Sequence, residues 1–91
     1  MSLRDCDSLK LEISGELQAK LERDLIFPED IQRVIYHAEK TATRLFDTRK
    51  KCFIAHRQNG FVTFWVEYRP KIDSYEVLNA YSHRIKILEG G

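Results

Sequence analysis

Three histidines (His37, His56 and His83), two cysteines (Cys6 and Cys52), Tyr81, Arg57 and Arg84 are the side chains of this 91-residue chain best suited to chemistry. The stretch Asn79-Ala-Tyr-Ser-His-Arg-Ile-Lys-Ile alternates like a strand and puts Asn79, Tyr81 and His83 on one face. Metal ligation fails on distance. Cys52 and His56 share a strand face, but four residues at about 3.3 Å each separate them by about 13 Å, beyond one coordination sphere. There is no C-x-x-C, no H-x-x-x-H and no paired carboxylate cluster, so neither a metal nor a cofactor is expected.

Phosphate chemistry of the kind used by compact endoribonucleases needs a general acid, a general base and cations around one phosphate. His56, His83 and Tyr81 supply the proton-transfer groups, with the two histidines expected about 10 Å apart on two strands flanking the one that carries Thr63 and Phe61. Arg57 and Arg84 would supply the cations, yet alternation sends both to the opposite face. The plain structural readings are as concrete. His37 lies beside the buried stripe of a helix, Trp65 and Tyr81 suit cross-strand packing, and Arg49-Lys50-Lys51 suits a solvated turn.

These residues depend on the elements that carry them. Leu9, Ile13, Leu17, Leu21 and Leu25 recur every four residues, and Ser14-Gly15 interrupts the series, which predicts a helix over 14–23 with Ser14 as N-cap. A second helix follows from Pro28 in its first turn, Glu29 and Asp30 at the positive end of its dipole, and Ile31, Val34, Ile35 and Ala38 on one face. After Thr41 the period changes to alternation: a short Thr43–Asp47 strand, a basic turn, then two runs joined by Asn59-Gly60, read as a type I′ hairpin. That turn pairs Ala55 with Phe64, Phe53 with Val66 and Arg57 with Val62. Phe53, Ala55, Val62, Phe64, Val66 and Tyr68 then face the helices. Cys52, Ile54, His56, Phe61, Thr63, Trp65 and Glu67 form a mixed aromatic and polar face, too apolar for bare solvent.

A five-residue loop, Pro70–Ser74, leads to the last strand. It sets Asn79 opposite Trp65, Tyr81 opposite Thr63 and His83 opposite Phe61, on the mixed face, and a loop one residue different would flip them all. The expected fold is α+β: two N-terminal helices packed on one face of a three- to four-stranded antiparallel meander. Residues 1–91 read as one domain with its core within about 9–87.

Fifteen Lys and Arg against fourteen Asp and Glu leave a net charge of +1, so binding to nucleic acid through charge alone is not expected. No apolar run approaches the roughly 20 residues of a membrane span, and the opening residues lack the apolar segment of a secretory signal. With no disulfide framework in two cysteines, a reduced, cytoplasmic protein is expected. Met1-Ser2-Leu3 and Gly90-Gly91 read as residues outside the fold. A terminal Gly-Gly also occurs in ubiquitin-like modifiers and sulfur carriers, but those begin with a hairpin, not with two helices.

Trp65, Val66, Glu67, Tyr68, Pro70, Asn79, Ala80, Tyr81, Ser82, His83 and Arg84, together with the helix Phe27–Thr41, resemble an uncharacterised family of small bacterial proteins. That family accompanies iron–sulfur and NAD(P)H-dependent oxidoreductases related to glutamate synthase, and the resemblance covers Phe27 to Ile87. It implies an accessory subunit beside an oxidoreductase. It implies no catalytic residues and no cofactor, since the cysteine clusters and Gly-rich loop of such centres are missing.

The sequence thus points to a non-catalytic interaction domain, binding a protein partner or a second copy, with His56, Thr63, Trp65, Glu67, Asn79, Tyr81 and His83 as binding or interface candidates. A small endoribonuclease-like or small-molecule-binding protein using His56, Tyr81 and His83 is the alternative. A modifier acting through Gly90-Gly91 is a further one.

Overall fold

The computed structural model describes residues 9–84. In chain order the elements are β1 (Leu11–Glu12), α1 (Gly15–Arg23), α2 (Pro28–Thr41), β2 (Leu45–Asp47), β3 (Cys52–Asn59), β4 (Val62–Pro70) and β5 (Tyr75–Arg84). The strands form one mixed sheet in the order β1-β5-β4-β3-β2, with β1 parallel to β5 and the other neighbours antiparallel. The α+β assignment stands, and both helices pack against the same sheet face. The sheet itself is a correction: it has five strands and is mixed, not a three- to four-stranded antiparallel meander. Leu9, Leu11 and Ile13 alternate with polar residues, a period of two hidden beneath the four-residue series. They lie extended, partly buried against the core.

Ser14 caps α1 as expected, its Oγ accepting from the Leu17 N–H at 3.2 Å, and Leu17 and Leu21 are buried. The series breaks at Leu25, which is 73% exposed with φ +57°, while Ile26 takes the core position. In α2, Pro28 starts the first turn, and the Asp30 carboxylate accepts from the Phe27 N–H at 3.0 Å. Ile31, Val34, Ile35 and Ala38 are buried, as their spacing requires. The helix ends at Ala42, also left-handed at φ +55°. A third non-glycine with positive φ, Lys51 at +52°, closes the turn before β3.

The β3–β4 hairpin keeps its expected faces but not its expected partners. Its central residues are Gly60 and Phe61, because Asn59 pairs with Val62. Positive φ occurs at Gly60 alone, at +64°, which fits a II′ arrangement with glycine first; the I′ turn expected over Asn59-Gly60 needs two such residues. Phe53 therefore pairs with Tyr68, Ala55 with Val66 and Arg57 with Phe64. The slip moves each partner by two residues, so no side chain changes face.

Between β4 and β5 the loop is Lys71–Ser74, four residues rather than five, since Pro70 pairs with Tyr75. On parity alone that loop would turn Asn79, Tyr81 and His83 toward the helices. A register shift intervenes: Tyr68 pairs with Val77 but Glu67 with Asn79, leaving Leu78 as an extra residue in β5. The bulge restores the parity. Val77 and Ala80 both enter the core, at 4% and 1% exposure, although an unbroken strand would send them to opposite faces. Ala55, Val66 and Ala80 lie in one row across three strands, leaving room for the bulky apolar stripe of the helices.

One polar group enters this core. The Tyr68 hydroxyl donates to Glu39 Oε2 at 2.7 Å, and Glu39 is also bonded to Arg44, whose guanidinium lies 4.0 Å from the Phe53 ring centroid. Burial first, then the neighbouring Glu39 carboxylate, pushes the Tyr68 hydroxyl far above the usual tyrosine range. A raised folded-state value contributes stability below the unfolded tyrosine value of about 10 and loses it as pH rises beyond. Urea midpoints should fall above about pH 10. Tyr68→Phe should make that fall shallower, with a remainder from Tyr75, whose hydroxyl burial also raises. For the core, Ile35→Ala should lower unfolding stability by about 2–4 kcal/mol, whereas Ile72→Ala, at a fully exposed position, should change it by less than about 0.5 kcal/mol.

Candidate functional site

The sheet face away from the helices divides at Glu67. On one side lies an ion-paired half. Lys71 pairs with Glu12 at 3.3 Å and lies 3.9 Å from Glu76, Arg69 lies 3.6 Å from Glu76, and Ser74 bonds Glu12. Arg69 also donates to the carbonyls of Lys50 and Lys51, fastening the β2–β3 turn over this end of the sheet. Asp47 Oδ1 accepts from the Arg49 and Lys50 N–H groups at 2.8 and 3.2 Å, which hold its carboxyl below the usual range. The charges of this half are matched within it.

On the other side lies an aromatic half. His56 pairs with Trp65 and Trp65 with Tyr81, and their rings form a ladder across three strands. Ring centroids are 4.6 Å apart at 24° for the first pair and 6.3 Å apart at 10° for the second. Thr63 lies opposite His83, and Ile54 lies opposite Leu45 on β2. Among the described residues, the polar atoms of His56, Thr63, Trp65, Tyr81 and His83 make no side-chain hydrogen bond. Pairing and alternation put no Lys, Arg, Asp or Glu among these residues; Arg57 and Arg84 alternate onto the helix side.

The seven candidates therefore fall into two groups. His56, Thr63, Trp65, Tyr81 and His83 make one patch, while Glu67 and Asn79 serve the structure. Glu67 is only 6% exposed and accepts from Lys50 Nζ at 3.0 Å. Asn79 Oδ1 accepts from Lys20 Nζ and from the Ala80 N–H, both at 2.9 Å. The cross-strand partners also need correction. Asn79 lies opposite Glu67, not Trp65; Tyr81 opposite Trp65, not Thr63; and His83 opposite Thr63, not Phe61, which is a hairpin-turn residue. His56 and His83 are consequently diagonal, two strands and two residues apart, or about 12 Å. His37 is exposed on α2.

Comparison with protein-family models, curated proteins and solved structures finds no match. Among the described residues no three His, Cys, Asp or Glu side chains gather as metal ligands, and no helix is long and apolar enough to cross a membrane. Cys6 and Gly90-Gly91 lie outside the described residues. A concavity of about 570 Å³ lined by Leu11, Ile13, Leu21, Ile26, Phe27 and neighbours lies between α1, β1 and α2, away from the ladder.

Two residues were missed at the sequence level. Lys50 looked like part of a solvated turn, yet its ammonium neutralises Glu67, which in turn raises its basicity. Burial, and then Glu67 and Asp47, push the neighbouring Cys52 thiol up, so this buried side chain stays in its neutral form. Lys20 joins α1 to β5 across 59 residues of sequence, and no local pattern announces such a contact. Lys50→Ala should lower the melting temperature by several degrees, since it leaves Glu67 buried without its cation. The same substitution in a Glu67→Gln background should cost clearly less, a coupling that a double-mutant cycle of melting curves measures.

Proposed function

We propose that this chain is a non-catalytic recognition domain that binds a protein partner through the aromatic half of the sheet. The observation that carries this is a stacked His56–Trp65–Tyr81 ladder, flanked by Thr63 and His83, with its hydrogen-bonding atoms uncommitted and no ionised Lys, Arg, Asp or Glu among them. Interface centres have this composition: aromatic residues enriched, Lys, Glu and Asp depleted, and polar residues around the rim. The ion-paired half beyond Glu67 suits such a rim. An oxidoreductase subunit is the partner class that the family resemblance adds.

The endoribonuclease alternative is less well supported. The two histidines are separated by the Trp65–Thr63 row, and the arginines that would hold a phosphate alternate to the other side.

Incorporating a photo-crosslinking phenylalanine analogue at position 81, with position 72 as control, tests the proposal in cells. A discrete protein adduct should form at position 81, vanish with Trp65→Ala and be absent at position 72. With the captured partner, Trp65→Ala should weaken binding about 30-fold or more, the effect of losing roughly 2 kcal/mol at an interface centre. Folded Trp65→Ala and Tyr81→Ala proteins that keep wild-type affinity would refute it.

A further inference from the structure

The edge of β5 is a second surface, perpendicular to the aromatic face. β1 covers only Tyr75 and Glu76 of this edge. Beyond them, Lys20 Nζ donates to the Ala80 carbonyl at 3.0 Å, and Asn79 Oδ1 accepts from the Ala80 N–H. Both peptide groups of Ala80 therefore point away from β4 and are capped. Alternation gives the backbone groups of Ser82 and Arg84 the same direction. Among the described residues no strand pairs with them there, and Tyr81 to Arg84 are all exposed. Proteins defend open edges with lysines and bulges; here the bulge at Leu78 and Lys20 defend the edge as far as Ala80 and no further.

We infer that a second copy of this chain pairs antiparallel with β5 along this open edge, about a two-fold axis at His83. Four symmetric registers use edge-facing residues of the stretch from Ala80 to Arg84, and the structure disfavours three. An axis at Tyr81 would pair Ala80 with Ser82 of the other copy and an axis at Ser82 would pair it with Arg84, both using groups that Lys20 and Asn79 already occupy. An axis at Arg84 would set two arginines directly opposite, a repulsive cross-strand pair. With the axis at His83, Ser82 meets Arg84 in both directions, each pair exchanging two hydrogen bonds, on the order of four in all. The groups that the edge offers are those that the same edge, inverted, requires. The sheets of both copies become continuous, and their aromatic halves meet at the two His83 side chains.

This inference concerns the edge and stands independently of what binds the face. Light scattering on the purified 91-residue chain should give a dimer mass that falls to the monomer on dilution. Ser82→Pro removes one edge-facing N–H and no bond to β4, a placement that proline tolerates on edge strands, so it should yield a folded monomer. His83→Cys, in a Cys6→Ser background, should form an intermolecular disulfide under mild oxidation. Directly opposed residues of a non-hydrogen-bonded pair have Cα atoms about 4.5 Å apart, within disulfide reach. Tyr81→Cys should not, because its two copies would be offset along the strands. Trp65→Ala should remain dimeric. A monomeric wild type, a dimeric Ser82→Pro, equal crosslinking at positions 81 and 83, or dissociation by Trp65→Ala would each overturn the inference.

Discussion

The extra residue in β5 organises the rest of the molecule. A strand leaving the four-residue Lys71–Ser74 loop in strict alternation would carry Val77, Asn79, Tyr81 and His83 on one face, and that face would be the helix side. Two long polar rings would then compete with α1 and α2 for space, while Ala80 faced solvent. By absorbing Leu78 out of register, the strand sends Tyr75 and Val77 inward before the shift and Ala80 inward after it. A small side chain thus lies beneath the helices, and the aromatic ladder stands outside. The core and the exposed aromatic face are two results of one discontinuity.

The same discontinuity coincides with the end of β1. The parallel pairing stops at Glu12 with Glu76, and further along the edge the Ala80 carbonyl is taken up by Lys20 from α1. One helix therefore does part of a strand's work. Its ammonium, held between Asn79 Oδ1 and the Ala80 carbonyl, lies 3.9 Å from Asp24 on its own helix. One strand over, Lys50 reaches from the β2–β3 turn to Glu67, the residue opposite Asn79. Both lysines extend from a neighbouring segment to satisfy the directly opposed Glu67 and Asn79, so the row that borders the aromatic patch is anchored from two sides.

Much of this was legible in the chain. Ser14, Pro28 with Asp30, and the 31-34-35-38 stripe specify the helices through capping and period, which are local properties. The two faces of the β3–β4 hairpin follow from alternation whatever the turn, which is why a hairpin centred one residue later than expected left every face assignment intact. The illegible parts were those in which two effects cancel. A loop one residue shorter than expected and a one-residue bulge each reverse parity, and together they returned Asn79, Tyr81 and His83 to the expected side through an unexpected route. The pair Val77 and Ala80, both apolar but three apart in a strand, was the trace of that bulge in the sequence. β1 was hidden because Leu9 and Ile13 satisfy both a four-residue and a two-residue period. The splitting of Glu67 and Asn79 from the patch needed Lys50 and Lys20, partners that only the tertiary structure supplies.

The three left-handed residues have a bearing on how this domain can change. Leu25, Ala42 and Lys51 occupy a backbone region that costs a residue with a Cβ about 1–2 kcal/mol, and all three lie in connections rather than in the sheet. Glycine is at home there, so each position is a place where the chain holds less stability than its architecture permits. The fold keeps this slack out of the ladder and the β5 edge, while Lys51 directly follows the Lys50 anchor. Variation in the proposed binding surfaces, which tends to weaken a protein, can therefore be compensated at sites outside the ladder and the β5 edge.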